Sequence, residues 1–143
     1  MRAPFQVIVF PYRLRNGDLE VLIGKRRDGN YWQAISGGGE AGETLLEAAV
    51  RELKEESALS GTNWVKLDSM CTLPKVLYSG HEEWVEISYV VPEHAFITQA
   101  KGQERISNEH CELRWCSTSE ATNLLKYDSN RNALWELTER LNA

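Results

Sequence analysis

The sequence predicts an α/β fold in which a mixed sheet lies between helical layers. Short apolar and β-branched segments that favour strands flank segments with helical periodicity. These segments lack the regular strand–helix–strand alternation of a parallel doubly wound sheet. At 143 residues, with 42% hydrophobic and 26% charged residues, the chain has the size and composition of one domain over residues 1–143.

The first predicted elements form a hairpin. Residues 6–14 have the apolar character of a buried strand, and residues 19–25 supply its partner. The intervening Asn16-Gly17-Asp18 is typical of a tight hairpin turn, because Asn and Gly tolerate positive φ. Residues 31–35 form a short strand-like segment that precedes a run of glycines.

A central helix is predicted over residues 44–57, and its 3.6-residue period gives a buried stripe made of Leu46, Ala49, Val50 and Leu53. Glu56 borders this stripe. Three further strands are predicted over residues 66–77 (interrupted near Pro74), 83–91 and 112–116. Two helices are predicted near the C-terminus, over residues 119–126 and 129–141.

Composition excludes several classes of protein. The net charge of −5 and the pI near 5.3 argue against sequence-independent binding to nucleic acid, which needs a basic surface. Cys71, Cys111 and Cys116 fit no zinc spacing, and reduced thiols in a cytosolic protein are the simplest interpretation. The apolar run VIVF is too short for a signal peptide or a membrane span, so we expect a cytoplasmic protein.

The central helix carries acidic residues in an arrangement that helix stability alone disfavours. Glu52, Glu55 and Glu56 follow an i, i+3, i+4 spacing, which puts them on one flank of the helix. Their charges repel one another, and Glu55 and Glu56 lie near the C-terminus, where the helix dipole favours cations. A divalent cation would relieve both penalties, because hard cations take carboxylate oxygens.

Residues 37–59, GGGEAGETLLEAAVRELKEESAL, resemble the Nudix box. The matching positions are Gly37, Glu43, Arg51, Glu52, Leu53, Glu55, Glu56, Ala58 and Leu59. Only Ala58 departs from the pattern, since the family has glycine there, and we expect Gly61 to take over the helix C-cap. The resemblance implies a Nudix α/β/α sandwich with a mixed central sheet.

The resemblance also implies the chemistry. Glu52, Glu55 and Glu56 match the positions that bind divalent cations, with Mg²⁺ as the expected ion and Mn²⁺ as a substitute. Glu52 or a nearby carboxylate would orient or deprotonate the attacking water. Arg51 resembles the box arginine, which pairs with a box glutamate and fixes its orientation. Arg51, Glu52 and Glu55 are therefore the candidate catalytic residues, while Glu43 is a peripheral ligand or a partner of the helix N-terminus.

The run Ser36-Gly37-Gly38-Gly39 precedes the helix. Glycines permit close backbone approach and positive φ, so we expect a turn whose exposed amides hold phosphate oxygens. Alone, such a run favours a plain flexible turn. Beside the glutamates it indicates a substrate-binding role for Ser36, Gly37 and Gly38.

Three segments outside the box resemble the dATP pyrophosphohydrolase or dihydroneopterin triphosphate pyrophosphatase branch of the family. They are KRRDGNYWQAISGG (residues 25–38), EHCELRW (109–115) and YDSNRNAL (127–134). By this resemblance Glu109 is an additional metal-binding carboxylate, and the alternative is a surface loop residue. Arg26 matches a substrate-contacting position, and the alternative is a solvated hairpin charge.

Two other side chains keep two interpretations each, and a third, His110, has one. Trp32 would stack on a base or belong to the core, and the core is favoured. Arg131 would meet a phosphate or cap a helix, and the helix is favoured. His110 is assigned to support of its loop, because the scattered histidines build no metal site.

The leading hypothesis is a Mg²⁺-dependent Nudix hydrolase that cleaves a nucleoside triphosphate or a related pterin triphosphate at a phosphoanhydride bond. The alternatives are a dinucleoside polyphosphate hydrolase and a catalytically silent Nudix-fold binding module. The intact box glutamates and Arg51 disfavour the silent module. The expected partner is a small polyphosphate, with no nucleic acid and no membrane. Monomer and homodimer both remain open, as do the base, sugar and length of the phosphate chain.

Overall fold

The computed structural model describes residues 2–84 and 88–142. These residues form seven strands, β1 (Arg2–Arg15), β2 (Asp18–Arg26), β3 (Trp32–Gln33), β4 (Ile35–Glu40), β5 (Ser60–Pro74), β6 (Val90–Lys101) and β7 (His110–Ser117). They also form three α-helices, α1 (Leu45–Ser57), α2 (Thr118–Leu124) and α3 (Asp128–Asn142). Short 3₁₀ helices cover Lys75–Leu77 and His81–Glu83. No helix within the described ranges is long and apolar enough to cross a membrane.

A single mixed sheet contains these strands. Its order is β3-β2-β1-β6-β5, with β4 also pairing to β1 and β7 to β2. The β1–β6 pair is parallel and the other pairs are antiparallel. β1 is the central strand, because its first part pairs with β4, its last residues pair with β2, and its other edge pairs with β6.

The sheet is covered on both faces, which confirms the predicted α/β/α sandwich. Side chains alternate along β1, so Val7 and Val9 belong to one core cluster while Ile8 and Phe10 belong to the other. The first cluster includes the apolar residues of α1, and the second includes those of α2 and α3. A continuous apolar run is the expected sequence for a strand buried on both faces.

The predicted hairpin is confirmed. Arg15 pairs with Asp18, and Asn16 and Gly17 between them have φ of 53° and 82°. Positive φ at both central residues belongs to the two-residue turn whose twist matches that of the strands.

The strand predicted over residues 83–91 is wrong in its placement. His81–Glu83 form a 3₁₀ helix, residues 85–87 lie outside the described residues, and the strand begins at Val90 and continues to Lys101. Polar residues in the first half of β6 hide its strand character, although Phe96 and Ile97 are buried. The strand predicted over 66–77 begins earlier, at Ser60. It ends at Pro74, where only an interruption was predicted, and Lys75–Leu77 form a 3₁₀ helix instead of its last residues.

The predicted buried stripe of α1 is also wrong in part. Leu46 and Val50 are 44% and 42% exposed, whereas Glu52 and Glu56 are buried beside Leu53. The helix is rotated about its axis so that part of its acidic flank faces the protein. Apolar periodicity could not reveal this rotation, because the burial of the two carboxylates depends on partners from other elements.

The ends of α1 are set by local sequence. At the N-terminus, Thr44 and Glu47 form a reciprocal capping box, which satisfies two otherwise unpaired backbone donors. At the C-terminus, Ala58 itself adopts the left-handed conformation, with φ of 67°, and its amide donates to the Lys54 carbonyl at 2.9 Å. Gly61 lies in β5 and does not cap the helix, so that expectation is wrong.

Candidate active site

An open, polar cleft of about 580 Å³ lies beside α1 and β4. Eight of the nine predicted site residues line this cleft. They are Arg26, Ser36, Gly37, Gly38, Arg51, Glu52, Glu55 and Glu109. The ninth, Glu56, is buried, and its negative charge acts on the neighbouring Glu109. Residues from β2, β4, α1 and the loop before β7 therefore converge on one site.

Arg51 organises the acidic side chains of α1. Its Nε and Nη2 donate to the two carboxylate oxygens of Glu43 at 2.7 and 2.9 Å, a bidentate pair. Its Nη1 donates to Glu52 Oε1 at 2.8 Å and to Glu55 Oε2 at 3.2 Å. Nη2 also donates to the Gly38 carbonyl at 2.8 Å, which ties α1 to β4. The hydrogen bonds to Glu43 and Glu52 hold the pKa of Arg51 well above its usual value.

Glu52 lies directly against the glycine strand. A Cβ added to Gly37 would lie 2.0 Å from Cδ of Glu52, so only glycine leaves room for this carboxylate. Burial raises the pKa of Glu52 to about 7, although the hydrogen bond and charge of Arg51 oppose the increase. A carboxyl group with a pKa near neutrality can exchange a proton at physiological pH, which suits a general base.

Glu56 is held as an anion by the buried His110 and the partly buried Ser107. Its Oε2 accepts a hydrogen bond from Ser107 Oγ at 3.0 Å and lies 3.2 Å from His110 Nδ1. Burial alone would raise the pKa of Glu56, but the hydrogen bonds from His110 and Ser107 outweigh burial and lower it. The His110 ring is 1% exposed and packs over Gly24, where an added Cβ would lie 2.6 Å from Cδ2.

The sequence assigned His110 to loop support and did not foresee its contact with Glu56. The two residues are far apart in the chain, and only the pairing of β2 with β7 brings the loop before β7 over α1. The glycine at position 24, opposite the ring, is the one signal in the sequence. It becomes interpretable only when the strand pairing is known.

The loop that carries Glu109 is fixed by β2 and the residues after it. The backbone amide of Arg27 donates to the Glu109 carbonyl at 3.1 Å, and the side-chain Nη2 of Arg27 donates to the His110 carbonyl at 3.0 Å. Arg26 Nη1 contacts Glu109 Oε2 at 3.3 Å, while the same guanidinium also pairs with Asp28. Burial, followed by the negative charge of Glu56, raises the pKa of Glu109.

The donor set fits a divalent cation in its chemistry. Glu52, Glu55, Glu56 and Glu109 supply carboxylate oxygens, the ligands that Mg²⁺, Mn²⁺ and Ca²⁺ prefer. Burial raises the pKa of Glu52, and burial together with the negative charge of Glu56 raises the pKa of Glu109. A bound cation would offset the free-energy cost of ionising both carboxyl groups. Among the residues that the structure describes, no three such side chains are already arranged as a cation site. Arg51 Nη1, which contacts both Glu52 and Glu55, occupies the intervening space.

The glycine run is part of a strand and does not form the expected turn. Ser36, Gly37 and Gly38 pair with β1 in register with Ile8, Val7 and Gln6. The turn itself comes later, at Gly42, which has φ of 87°. The glycines are required for close approach: besides the contact of Gly37 with Glu52, a Cβ at Gly39 would lie 2.0 Å from the Phe5 ring.

Arg2 also lines the cleft, a position that sequence analysis did not predict. Its guanidinium lies over Gly38, where an added Cβ would be 2.6 Å from Cζ of Arg2. The same Cζ lies 4.8 Å from the centre of the Tyr78 ring. The first strand extends farther toward the N-terminus than its apolar run predicts, and this extension brings Arg2 to the cleft.

Two other predictions are confirmed. Trp32 is 9% exposed and belongs to the core, with the Arg114 guanidinium 4.7 Å from its ring centre. Arg131 donates to the carbonyl of Leu125, the C-cap of α2, and pairs with Asp128 at the start of α3. Its role is therefore to connect two helix ends.

Comparison with known proteins agrees with this geometry. The NUDIX domain model matches residues 4–140. A protein described as a NUDIX hydrolase from Listeria monocytogenes has a crystal structure with a TM-score of 0.85 and 38% identity, and the match covers 98% of this chain and 95% of that one. The dihydroneopterin triphosphate diphosphatase of Escherichia coli is 26% identical over 137 residues, covering 93% of this chain and 91% of that protein. The RNA pyrophosphohydrolase of Pelagibacter ubique is 30% identical over 124 residues, covering 77% of this chain and 75% of that protein.

The family match extends over nearly the whole chain and includes the box from which the cleft is built. Hydrolases of this family generally need divalent metal ions. The chain therefore belongs to the Nudix family and is a hydrolase of phosphoanhydride bonds.

Proposed function

We propose that this protein is a Mg²⁺-dependent pyrophosphohydrolase of a nucleoside triphosphate or a related pterin triphosphate, built as one domain over residues 1–143. The observation that carries the proposal is the convergence of Arg26, Glu52, Glu55 and Glu109 on one polar cleft. The similarity to a dihydroneopterin triphosphate diphosphatase over most of both chains supports a triphosphate substrate. The net charge of −5 favours a small polyphosphate over a nucleic acid.

Glu52, Glu55, Glu56 and Glu109 are the residues that would hold the cation. When bound, a divalent cation neutralises phosphate charge and makes water easier to deprotonate. Arg51 keeps Glu52 oriented through Nη1 while its own position is fixed by Glu43. Glu52 or a neighbouring carboxylate would accept the proton of the attacking water.

Two arginine side chains of the protein are positioned to bind the substrate. Arg26 and Arg2 line the same cleft as the carboxylates, so an incoming polyphosphate meets positive charge there. A guanidinium binds phosphate oxygens through two parallel N–H donors and so fixes orientation as well as charge. Gly37 and Gly38 contribute indirectly, because the absence of a Cβ leaves room for the Glu52 carboxylate and the Arg2 guanidinium in the wall of the cleft.

A substrate panel tests the proposal. The purified protein is assayed with nucleoside triphosphates, dihydroneopterin triphosphate, dinucleoside polyphosphates and a 5′-triphosphorylated RNA, each with Mg²⁺ and with EDTA. We expect EDTA-sensitive release of pyrophosphate, with the nucleoside or pterin monophosphate as the other product. Release of orthophosphate alone, preference for a dinucleoside polyphosphate or RNA, or turnover unaffected by EDTA would contradict the proposal.

A further inference from the structure

A second cavity, of about 470 Å³, adjoins the catalytic cleft. The two share Gln6, Arg26 and Ser36 in their linings, so a ligand can extend from one into the other. Most of the second lining is different in character, since it is aromatic and apolar where the first is acidic. Tyr31, Tyr78, Tyr127, Leu73, Leu77 and Glu93 contribute to it.

The walls of this cavity suit a planar ring. Tyr31 and Tyr127 meet edge to face, with ring centres 5.5 Å apart and an interplanar angle of 85°. Their hydroxyl groups are joined by a hydrogen bond of 3.1 Å, which holds both rings in place. Leu77 is 66% exposed, an unfavourable state for a large apolar side chain unless a ligand covers it. Apolar and aromatic walls with a few polar groups are typical of small-molecule sites.

Among the described residues, Glu93 is the one acidic residue in this lining. Its Oε1 accepts hydrogen bonds from Ser129 Oγ at 3.1 Å and from Cys71 Sγ at 3.4 Å. Within residues 2–84 and 88–142 no Lys, Arg or His lies within ion-pair distance of Glu93 and no donor bonds to Oε2. Burial raises the pKa of this carboxyl, as expected when a carboxylate lacks a cationic partner.

We infer that the second cavity binds the amino-oxo-pyrimidine ring shared by guanine and pterin, and that Glu93 selects this ring by accepting its N–H donors. The inference rests on the proposed function and names the substrate class of that same site. An ionised carboxylate is an acceptor only, with about four lone-pair positions on its two oxygens. The amino-oxo edge presents a ring N–H beside an exocyclic amino group, that is, two adjacent donors. The matching edge of adenine or cytosine presents one donor and one acceptor, and the acceptor would face the carboxylate unfavourably.

The position of Glu93 is consistent with this role. It follows Pro92 in β6, is bonded to β5 through Cys71 and to the start of α3 through Ser129, and so has a defined orientation. A purely structural Glu93 would join these elements without regard to the ligand. The two roles make different predictions for ring selectivity, and an isosteric substitution separates them.

The test compares GMP and IMP, which differ only in the exocyclic amino group and contain no anhydride bond. Their affinities are measured by calorimetry on the wild-type protein, on Glu93→Gln and on Glu139→Gln, a control that removes a charge from an exposed position of α3. A hydrogen bond to a charged group contributes about 1.5–3 kcal/mol, so we expect GMP to bind roughly tenfold or more tightly than IMP to the wild type. We expect Glu93→Gln to reduce the ratio to about twofold or less, and Glu139→Gln to retain it.

The kcat/KM values for GTP and for dihydroneopterin triphosphate are then each divided by the value for ITP. Comparing these two ratios identifies whether the ring comes from a nucleotide or from a pterin. A wild type that binds GMP and IMP equally, or binds neither, overturns the inference, as does a Glu93→Gln variant that keeps the wild-type ratio. A lower melting temperature in Glu93→Gln with unchanged selectivity assigns Glu93 to structure alone. Because the binding assay needs no turnover, its failure is distinct from failure of the hydrolase assay.

Discussion

Arg51 is the residue on which the arrangement of the box depends. Three carboxylates on one flank of α1 would repel one another, and the guanidinium offsets this by contacting two of them through one nitrogen. Glu43 holds the other side of the fork, so Arg51 cannot turn toward solvent without losing a bidentate pair. A lysine would supply the charge without the fork, and the orientation of Glu52 would be lost.

Glu56→Gln tests the assignment of Glu56 as a cation ligand. The amide preserves the shape of the side chain but removes one anionic donor, so we expect turnover to be almost abolished while the fold is retained. Loss of groups around a metal site commonly costs 10–100-fold in metal affinity or activity, and loss of a direct ligand should cost at least about that. The measurement is kcat over a Mg²⁺ titration, together with a melting curve. Wild-type kcat in the variant at saturating Mg²⁺ would refute the assignment.

Glu109→Gln tests the carboxylate contributed from outside the box. Glu109 lies beside Glu56 and contacts Arg26, so it is placed either to complete the cation site or to accept a proton. Either role matters mainly in the transition state, and we therefore expect a large decrease in kcat with little change in KM. A loop residue with no such role would change neither constant by more than about twofold, because most exposed substitutions are nearly neutral.

At the scale of elements, the sequence predicted what depends on local interactions. The β1–β2 hairpin follows from Asn16 and Gly17, and the span of α1 follows from the 3.6-residue period of its apolar residues. The family pattern supplied Glu52, Glu55 and Glu56. In each case the signal lies within a few residues of the structure that it determines.

What the sequence did not predict depends on contacts between elements. Glu52 and Glu56 are buried only because Arg51, His110 and Ser107 compensate the carboxylates, and two of these partners lie in the segment that leads into β7. The rotation of α1 follows from that compensation. The glycine run resembled a turn because glycine is common in turns, whereas its cause is the approach of Glu52 to β4.

The attachment of α3 to β5 gives a prediction about pH. Glu136 of α3 accepts hydrogen bonds from the amides of Asp68 and Ser69 at 2.8 and 2.7 Å, and from Ser69 Oγ at 2.8 Å. Arg140 Nε donates to the same carboxylate at 2.8 Å. Burial would raise the pKa of Glu136, but these bonds outweigh burial and lower the pKa to about 2.

A carboxylate whose pKa is depressed in the folded state stabilises the fold above its unfolded pKa. This stabilisation, on the order of 2–3 kcal/mol, is complete above about pH 5 and is lost as pH falls from the unfolded pKa of 4.5 toward the folded value of about 2. We expect Glu136→Gln to destabilise the protein at pH 7 and to flatten the pH dependence of unfolding by urea in this window. Glu139→Gln, an exposed change on the same helix, is the matched control. Parallel pH profiles for Glu136→Gln and the wild type would contradict this account.

At the scale of the whole molecule, the central strand β1 joins the two cavities. Gln6 lines both of them and also pairs with Gly38 of β4 and Glu93 of β6. On the β4 side of Gln6, Gly38 lines the acidic cleft beside α1. On the β6 side, Glu93 lines the aromatic cavity. In the proposed binding mode, one strand therefore contributes to both the phosphate end and the ring end of the substrate site.

The net charge of −5 and the acidic cleft lead us to expect that the proposed cation stabilises the fold as well as supporting catalysis. Glu52, Glu55 and Glu56 repel one another in the metal-free protein, and burial adds to the cost of charging Glu52. A ligand that binds only the native state stabilises it by RT ln(1 + [L]/Kd), or about 2.7 kcal/mol at a hundredfold excess over Kd. For a domain of this size, we expect millimolar Mg²⁺ or Mn²⁺ to raise the melting temperature by roughly 5–10 °C.

Glu56→Gln should lose most of this increase, while Glu139→Gln should keep it, since only the first removes a proposed ligand. Measuring both variants with and without a nucleotide separates cation binding to the protein from binding of a cation–nucleotide complex. A wild-type melting curve that is unchanged by either cation, with and without nucleotide, would mean that these carboxylates are not a cation site. An equal increase in Glu56→Gln would place the site elsewhere, because the bound cation would then be indifferent to the buried carboxylate that His110 and Ser107 hold in its charged form.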